Sequence, residues 1–585
     1  MNVVGISALY HDSAACLLQD GVLTAAAQEE RFSRQKHDPS IPKRAFRYCL
    51  EQAGLSIADI DCVAYYENPG QKLERQIWMC LPRLSKELCE KLWRKARQPE
   101  IGIRELLGYE GPIEIVGHHE AHAASSFYYS GFEDAAILVV DGVGEWATTS
   151  YRRGVGDNIE LLEEVHFPHS IGLLYSALTS YLGFSVNDSE YKVMGLAPYG
   201  KSRYVSQIRN LIRQGTGGQF CLQPEYFDFS SERRMYTDAL IELLGQPART
   251  PGSEITQFHK DVAHSVQLVL EEIMLAAAHH LYSLTGSENL CMAGGVALNC
   301  VANGRILREG PFRRLFAQPA AGDAGASIGA AAIANRRLAG QRPQQGQMRH
   351  TYLGPEFSTD EIAKLLSVTP LYFEDYRGRE SEMLESVTER LVSGKVIGWF
   401  QGRMEFGPRA LGARSILADP RDPLMRDRIN KLVKKREEFR PFAPSVLQGK
   451  ADKYFDIDHA SPFMLETCQV RAPMDLPAVT HIDGSARVQT VDERTNPRFA
   501  RLIELFGQRT GIPILLNTSF NMRDEPIVCK PVDALLCFVR SDIDTLVLGD
   551  FLIDRSGLSP LWADLFRSLR KPAEFAVSDD VYTMM

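Results

Sequence analysis

The sequence lacks several features that would assign it to a common class. Its eleven cysteines are scattered along 585 residues and include no C-x-x-C pair, which excludes a zinc knuckle and favours reduced thiols over a disulfide framework. No apolar run reaches the roughly 18 residues that span a bilayer. The first residues, MNVVGISALYHDSAA, have no basic segment followed by a long apolar one, so we expect no signal peptide, no membrane partner and a cytoplasmic protein.

An excess of positive charge is also missing. Asp and Glu number 74 against 65 Lys and Arg, which gives a net charge of −9 and argues against nucleic acid as the main ligand. A chain of this length exceeds what one hydrophobic core organises, so two or more domains are expected. The composition shifts to small residues and then to Gln and Pro around 318–350. We therefore predict a first domain over residues 1–345, a second over 352–560 and a tail over 561–585.

The first domain contains two stretches that look like versions of one α/β unit. VVGISALYHDSAACLLQDGVLTAAAQEE and AAILVVDGVGEWATTSYRRGVGDNIELLEEV each predict an apolar strand, an acidic turn and two further strands. Such a duplication suggests the actin-like superfold, in which the turns of two halves face each other across a nucleotide cleft. The alternative is that hairpins of this kind recur in any α/β protein.

The zinc-protease motif H-E-x-x-H is absent, although VGHHEAH comes near it, because the last position would fall on Ala123. His118 and His122 nevertheless share one helix face. Asp141 ends the apolar run ILVV, where a buried carboxylate is costly unless it meets a cation. With Asp323 in AGDAGASIGA, these residues predict a metal site for Fe(II), Zn or Mn. The alternative is that the histidines only pack in the core or cap the helix.

Two further regions are suited to anions. The loop GGVALN, residues 294–299, follows a predicted strand and opens a helix, so its backbone N–H groups can approach a phosphate or an adenosine. In the second domain several cations lie among glycines, prolines and apolar residues, which favours phosphate binding. The cations are Arg403, Arg409, Arg414, Lys434, Arg440 and Arg487. The alternative is a structural salt-bridge network with Asp419, Asp422 and Glu437.

Together these motifs resemble the NodU/CmcH type of O-carbamoyltransferase over residues 2–560. The motifs that carry the resemblance are YHDSAA, EERFSRQKHD, HHEAHAASSF, VVDGVGE, YKVMGLAPYG, MAGGVALNC, GDAGASIGAA, EFGPRALGARSILADPR, FRPFAPSV, DGSARVQTV and LNTSFN. The resemblance implies a duplicated actin-like (ASKHA, ribonuclease H-like) first domain and a YrdC-like α/β second domain. It also implies that carbamoyl phosphate and ATP, with Mg, form carbamoyladenylate, whose carbamoyl group then moves to a hydroxyl of an antibiotic, toxin or sugar.

The same resemblance implies a role for particular residues. His118, His122, Asp141 and Asp323 would bind the metal, and His11 would take the proton from the acceptor hydroxyl. Lys36, Gly295 and Asn299 would contact the adenylate in the first domain. The implied ligands of carbamoyl phosphate and ATP in the second domain are Arg409, Lys434, Arg440, Arg487, Asn517 and Ser519. Acceptor pockets depend on variable loops, such as 66–105 and 215–255 here, and these segments carry no readable code for the acceptor.

Three other functions are compatible with parts of this pattern. A tRNA threonylcarbamoyl-type enzyme shares both folds but requires a tRNA-binding surface, which the acidic balance disfavours. An actin-like sugar kinase leaves the histidine pair and the arginine-rich region without a role. A nucleotide-dependent scaffold that has lost activity would not need to keep all the proposed ligands.

Overall fold

The computed structural model describes residues 1–81, 84–215, 218–231, 234–343, 346–434, 436–558, 561 and 565. The predicted tail over 561–585 therefore lies outside the described residues, apart from Leu561 and Leu565. The chain forms two units: Met1–Glu30 with His37–Met348, and Arg31–Lys36 with the described residues from Arg349 onward. In the part of the chain that the structure describes, the helices include none with the length and hydropathy of a membrane span.

The first unit begins with a five-stranded sheet. Its strands are β1 (Asn2–Ser7), β2 (Ala14–Gln19), β3 (Val22–Gln28), β4 (Cys62–Tyr65) and β5 (Ile113–Ile115). They lie in the order β3-β2-β1-β4-β5. Strands β1 to β3 are antiparallel neighbours, whereas β4 and β5 run parallel to β1. The structure confirms the elements predicted for the first α/β repeat, namely three strands joined by a His-Asp turn and an Asp-Gly turn.

A second sheet repeats this arrangement. The next strands are β6 (Asp134–Val140), β7 (Ala147–Val155), β8 (Asn158–His166), β9 (Ile212–Gln214), β10 (Phe220–Leu222), β11 (Asn289–Ala293) and β12 (Arg314–Ala317). Strands β9 and β10 form a separate hairpin, and the others lie in the order β12-β11-β6-β7-β8. When the strands of each sheet are numbered in chain order, both sheets have the spatial order 3-2-1-4-5. The predicted duplication of an α/β unit is therefore confirmed by the topology.

Helices separate and cover these strands. They are α1 (Glu30–Ser33), α2 (Lys43–Ala53), α3 (Pro69–Cys80), α4 (Lys86–Ile101), α5 (His118–Phe127), α6 (Ile171–Tyr181), α7 (Glu190–Leu196), α8 (Val205–Asn210), α9 (Asp238–Leu244), α10 (Gln257–Thr285), α11 (Cys300–Glu309) and α12 (Asp323–Ala339). Long helix α10 ends at Gly286, whose φ of 64° is left-handed. Glycine adopts that conformation without the Cβ clash of other residues and so ends the helix.

Helices α5 and α12 approach each other closely because small residues line α12. A methyl group added at Gly329 would overlap the backbone oxygen of Ala121 on α5, and one at Gly5 would overlap that of Ser327 on α12. The sequence GASIGAAA therefore has a packing reason. It lets the helix that begins with Asp323 lie against the helix that carries the predicted histidine ligands.

We expect Gly329→Ala to lower the free energy of unfolding by about 1–3 kcal/mol, because the added methyl group must push α5 and α12 apart. Denaturant titration of purified protein measures this change. Gly322→Ala is the matched control, since a Cβ at Gly322 meets open space. Equal stability losses in the two variants would contradict the close packing of these helices.

The second unit is built on an eight-stranded sheet. The strands of this unit, including two that lie outside the large sheet, are β13 (Glu374–Asp375), β14 (Ile397–Phe400), β15 (Arg414–Ala418), β16 (Ala443–Leu447), β17 (Cys468–Gln469), β18 (Ser485–Ala486), β19 (Gln489–Val491), β20 (Ile514–Ser519), β21 (Thr545–Leu548) and β22 (Phe551–Asp554). The sheet order is β13-β22-β21-β14-β15-β20-β16-β19, with β17 and β18 paired separately. The helices are α13 (Thr359–Ser367), α14 (Glu380–Val392), α15 (Met425–Arg428), α16 (Pro497–Thr510) and α17 (Pro531–Arg540).

Both faces of this large sheet are buried. Trp399 of β14 joins the core that includes α14 and α16, whereas its neighbour Phe400 joins the core that includes α13 and α17. Successive side chains of a strand point to opposite faces, so a strand that is apolar throughout requires a layer on each side. The predicted α/β class of the second unit is confirmed, and its likeness to YrdC stays a prediction.

Candidate functional site

Two histidines and two aspartates converge in the first unit. They are His118, His122, Asp141 and Asp323, here called the His–Asp cluster. His118 Nε2 lies 2.9 Å from Asp141 Oδ2 and 3.7 Å from Asp323 Oδ1. His122 Nε2 lies 3.7 Å from an oxygen of each aspartate. One donor atom from each residue lies within 4.8 Å of the others, so the structure brings all four sequence-predicted ligands together.

The environment of His122 fits a metal ion. Its side chain has 0% exposure, and neither ring nitrogen has a hydrogen-bond partner among the described residues. The 3.7 Å separations from the carboxylates exceed hydrogen-bond length. A buried polar atom left in this state costs about 1–3 kcal/mol, which a cation between imidazole and carboxylates would offset. Nitrogen and oxygen ligands without thiolate suit Fe(II), Zn or Mn.

Both carboxylates of the cluster are ionised at neutral pH. Burial raises the pKa of Asp141, but the hydrogen bond with His118 and the neighbouring imidazoles outweigh it and hold that pKa well below its ordinary value. Burial also raises the pKa of Asp323, but the charge of His11, the nearby His122 ring and the charge of His118 bring it below its ordinary value. Two buried negative charges next to two imidazoles form a donor set for a divalent cation.

Glu145 supports the histidine helix from its N-terminal end. Its carboxylate accepts hydrogen bonds from the backbone N–H of His118 at 2.9 Å and of Asn68 at 2.7 Å, and its backbone oxygen accepts one from Arg75 Nε at 2.6 Å. Carboxylates are favoured there because the first N–H groups of a helix have no partner within it. Sequence reasoning placed Glu145 in the acidic turn after β6 but gave it no role.

His11 lies in the turn between β1 and β2, next to the cluster. Its Nδ1 lies 3.1 Å from Asp12 Oδ2, and its Nε2 lies 4.0 Å from Asp323 Oδ2. The second oxygen of Asp12 lies 2.7 Å from His37 Nδ1, and His37 Nε2 lies 2.8 Å from Asp188 Oδ1. This chain of contacts fixes the orientation of the His11 ring from the side opposite Asp323.

The chain beside His11 was missed at the sequence level. Asp12 and His37 have φ values of 52° and 54°, a region that residues with a Cβ rarely adopt and that clusters at functional sites. Burial lowers the pKa of His11, but Asp323 and Asp12 raise it, to about 9 overall. The motifs YHDSAA and RQKHD contain both missed residues, yet neither spacing shows that they meet.

The GGVALN loop lies beside the cluster, at the end of β11. Gly294 has a φ of 90°, and a Cβ there would overlap the backbone of Val140, so the close approach requires glycine. Gly295 N donates a hydrogen bond to Asp141 Oδ1 at 3.0 Å. The loop therefore places Gly295, one of the residues predicted to contact the adenylate, next to Asp141 at the end of β6.

The two other residues predicted to contact the adenylate are placed differently. Asn299 Oδ1 accepts a hydrogen bond from Ala302 N at 3.1 Å and so caps α11, and its Nδ2 donates to Gln267 Oε1 at 2.9 Å. Lys36 lies in the segment Arg31–Lys36, which clusters with the second unit. The structure thus brings Gly295 to the His–Asp cluster and gives Asn299 a capping role.

Lys434 is buried in the second unit, with an exposure of 3%. Its Nζ donates to Ser519 Oγ at 3.1 Å and to Asn521 Oδ1 at 2.6 Å, and it also contacts the backbone oxygens of both residues. Burial lowers the pKa of Lys434 well below its ordinary value, and the charges of Arg436 and Arg440 lower it further. Lys434 and Ser519, both predicted to bind anions, are therefore in contact.

Two polar residues of this region are used to hold the fold. Asn517 is 1% exposed, and its Nδ2 donates to Ser445 Oγ at 3.1 Å and to Gln489 Oε1 at 2.9 Å. Arg414 is 0% exposed, donates to backbone oxygens of two neighbouring segments and lies 3.6 Å above the ring of Phe400. Arginines among glycines and prolines can thus be buried on carbonyl groups as well as on phosphates.

The remaining cations of the second unit are partly accessible. Arg403 donates to the backbone oxygen of Leu353 at 2.7 Å. Arg409 and Arg487 are half-buried. Arg440 is 19% exposed, and its Nη1 lies 3.7 Å from Glu437. Glu437 is one of the salt-bridge partners considered above, and its distance from Arg440 is too long for a strong ion pair.

Comparison with known proteins identifies the family. The family described as Carbamoyltransferase N-terminus matches residues 2–332, and Carbamoyltransferase C-terminus matches residues 388–555. An uncharacterized protein of Synechocystis sp. is 45% identical over 95% of this chain and 97% of its own length. Nodulation protein NolNO of Sinorhizobium fredii is 41% identical over 96% and 81%. A 3'-hydroxymethylcephem-O-carbamoyltransferase of Amycolatopsis lactamdurans is 36% identical over 46% and 49%. The chain belongs to the carbamoyltransferase family.

Proposed function

We propose that this carbamoyltransferase is a cytoplasmic enzyme that transfers a carbamoyl group to a hydroxyl of a small-molecule natural product at the expense of ATP. The second unit would hydrolyse carbamoyl phosphate with one water to carbamate and phosphate, and a carbamate oxygen would then displace pyrophosphate from the α-phosphate of ATP-Mg to give carbamoyladenylate. The first unit would then carry out the transfer. The observation that carries this proposal is the buried His–Asp cluster next to His11. The name of the cephem relative supports a hydroxyl acceptor.

The His–Asp cluster would hold a divalent cation, for which we propose Fe(II), with Zn and Mn compatible with the same ligands. When bound, such a cation supplies Lewis acidity toward the carbamoyl oxygen and positive charge that offsets the aspartates. The protein contributes a rigid setting for it. Glu145 fixes the start of α5, and the Gly295 N–H fixes one carboxylate oxygen of Asp141, so that the ligands are held in place by their neighbours.

His11 would act as the general base of the transfer step. Asp12 would accept a hydrogen bond from the Nδ1–H of His11, which leaves Nε2 as the basic nitrogen on the side of the cluster. The charge of Asp323 raises the pKa of His11, so a cation that offset that charge would lower this pKa, which is the direction that favours a base at neutral pH. The acceptor O–H bond breaks, its proton passes to His11, the oxygen bonds to the carbamoyl carbon, and the bond to the adenylate oxygen breaks to release AMP.

The second unit would bind the anionic substrates of the first step. Arg409, Arg440 and Arg487 are each half-buried, and planar guanidinium groups bind phosphate oxygens in pairs. Lys434 already contacts four oxygens of Ser519 and Asn521, so it would act by holding Ser519 in place. Asn517 is bonded to Ser445 and Gln489 and would hold in place the neighbouring strands beside the same anion site.

Mass spectrometry of candidate alcohols tests this function. Purified protein with carbamoyl phosphate, ATP and Mg is expected to add about 43 Da to an accepted alcohol, the mass of a carbamoyl group replacing a proton. Omission of ATP or of carbamoyl phosphate should each abolish the gain. A phosphate gain that needs no carbamoyl phosphate would indicate a sugar kinase instead, and salt-sensitive retention of total tRNA on a filter would indicate a tRNA-modifying enzyme.

A further inference from the structure

An aromatic pocket in the first unit has no role in the function proposed so far. It has a volume of about 200 Å³ and is lined by Trp78 of α3, Phe167 after β8, Leu222 at the end of β10, and Phe227 and Phe229 after β10. The ring of Trp78 lies edge-on to that of Phe167 at 6.5 Å. Phe227 and Phe229 stack at 5.3 Å between ring centres. The pocket therefore offers ring faces and edges on several sides.

This pocket is lined by residues from two variable segments, 66–105 and 215–255, of the kind on which acceptor pockets depend. Trp78 belongs to the segment 66–105, and Phe227 and Phe229 belong to 215–255. These residues are about 150 positions apart, yet they line one cavity. Loops that shape a shared cavity on a rigid α/β framework are the usual location of substrate specificity.

A series of contacts links the pocket to the loop beside the His–Asp cluster. Trp78 contacts the ring of Trp146 at 5.9 Å between ring centres, and Phe167 N donates to the backbone oxygen of Trp146. Trp146 directly follows Glu145, whose carboxylate accepts from His118 N at 2.9 Å. A ligand in the pocket would thus contact Trp78 and Phe167, which in turn contact the residue that follows Glu145.

The chemistry of the lining selects the ligand class. Trp78 is 51% exposed, whereas Phe167 and Phe227 are each 8% exposed, so an open apolar face leads to a buried floor. The polar side chains of the lining are Asp228 and Ser230, and Ser230 Oγ donates to Asp228 Oδ1 at 2.8 Å. A polyhydroxylated sugar ring would need several polar partners here, and this pair is already mutually bonded.

We infer that this pocket binds the acceptor through an apolar ring, aromatic or alicyclic, that carries or adjoins the hydroxyl to be carbamoylated. An apolar cavity of about 150 Å³ is known to hold benzene, so the volume here suits one substituted ring. The inference rests on the proposed function, because it assumes that the adjacent cluster transfers carbamoyl groups to alcohols.

Trp78→Ala tests the inference with benzyl alcohol, cyclohexylmethanol and methyl glucoside as probes. Wild-type protein is expected to carbamoylate the two apolar-ring alcohols with a kcat/KM at least about tenfold above that of the glucoside. Trp78→Ala should raise KM for these alcohols about tenfold while kcat changes little, because it removes ring contact and leaves the reacting groups in place. Saturation-transfer NMR measures binding of benzyl alcohol without any reaction.

Trp93→Ala is the matched control, because Trp93 lies in the same segment, is 61% exposed and does not line the pocket. It should leave KM and probe binding unchanged. Carbamoyl-phosphate-dependent ATP–pyrophosphate exchange separates the two hypotheses. Normal exchange and transfer with no effect of Trp78→Ala on KM or binding would overturn the inference alone. Absent exchange and transfer in wild type, with benzyl alcohol binding still lost in Trp78→Ala, would overturn the proposed function and keep the pocket.

Two other results would also overturn the inference. A preference for methyl glucoside that Trp78→Ala abolishes would show that the pocket stacks on sugar rings. Conversion of a dimer to a monomer by Trp78→Ala, measured by light scattering and with probe binding unchanged, would show that the aromatic face is a contact between copies of the chain.

Discussion

Replacement of His122 by alanine is expected to leave adenylate formation near its wild-type rate and to reduce carbamoyl transfer more than about 100-fold. Changes to groups that only support metal ligands cost roughly 10–100-fold in metal affinity or activity, so loss of a ligand should exceed that range. His122 is wholly buried and faces both cluster aspartates at 3.7 Å. Carbamoyl-phosphate-dependent ATP–pyrophosphate exchange, elemental analysis of bound metal and product mass spectrometry measure the three properties separately.

His119→Asn is the matched control for His122→Ala. His119 is also buried and lies on the same helix, but its Nδ1 contacts Ser150 Oγ at 3.1 Å instead of the cluster. Asparagine places a polar atom near the position of Nδ1 and preserves that contact. We expect His119→Asn to keep bound metal and transfer activity. If His122→Ala retained both metal and transfer, the cluster would not be the transfer site.

The duplicated fold was accessible from the sequence because each repeat encodes its own strands and turns. Period-two and continuous apolar patterns set the strands, and residues such as Gly21 and Gly286, which take positive φ, set where elements end. The cluster geometry followed from the same local rules. Histidines four residues apart share a helix face, and Asp141 follows the last buried residue of β6, so its side chain emerges at the end of the sheet.

Other site features depend on contacts between distant segments and leave no local pattern. Asp12 and His37 are 25 residues apart, and both adopt left-handed backbone conformations where they meet. The aromatic pocket joins segments that no periodicity relates. Asn299 was assigned to the adenylate from its motif, yet a residue between a loop and a helix is also placed to cap that helix, as it does here.

The arginine-rich region shows the same limit for charged residues. Composition indicated a phosphate site, but a guanidinium group has five donors that backbone carbonyls can satisfy equally well. Arg414 is bonded in this way and wholly buried, whereas Arg440 keeps accessible surface. The sequence contains both as arginines near glycine or proline, and only the fold separates the structural one from the one that can meet a ligand.

Arg440→Ala is expected to reduce carbamoyl-phosphate-dependent ATP–pyrophosphate exchange by about 100-fold or more while bound metal stays at its wild-type level. Removal of one donor aimed at developing negative charge typically costs about 10²–10³ in rate. Arg436 and Arg440 lower the pKa of buried Lys434, which is the direction expected if their positive charge acts on the predicted anion site. Exchange assays and elemental analysis on the same preparation measure both properties.

Arg509→Ala is the control, because Arg509 is an arginine of the same unit that pairs with Glu385 at 2.8 Å, and the two side chains are 50% and 44% exposed. Such pairs contribute about 0.2–1 kcal/mol, so exchange should stay within a few-fold of wild type. The comparison of Arg440→Ala with His122→Ala is the sharper result. The first should lose adenylate formation and keep metal, and the second should lose metal and keep adenylate formation. Loss of the same step in both variants would mean that one site, and not two, carries the whole reaction.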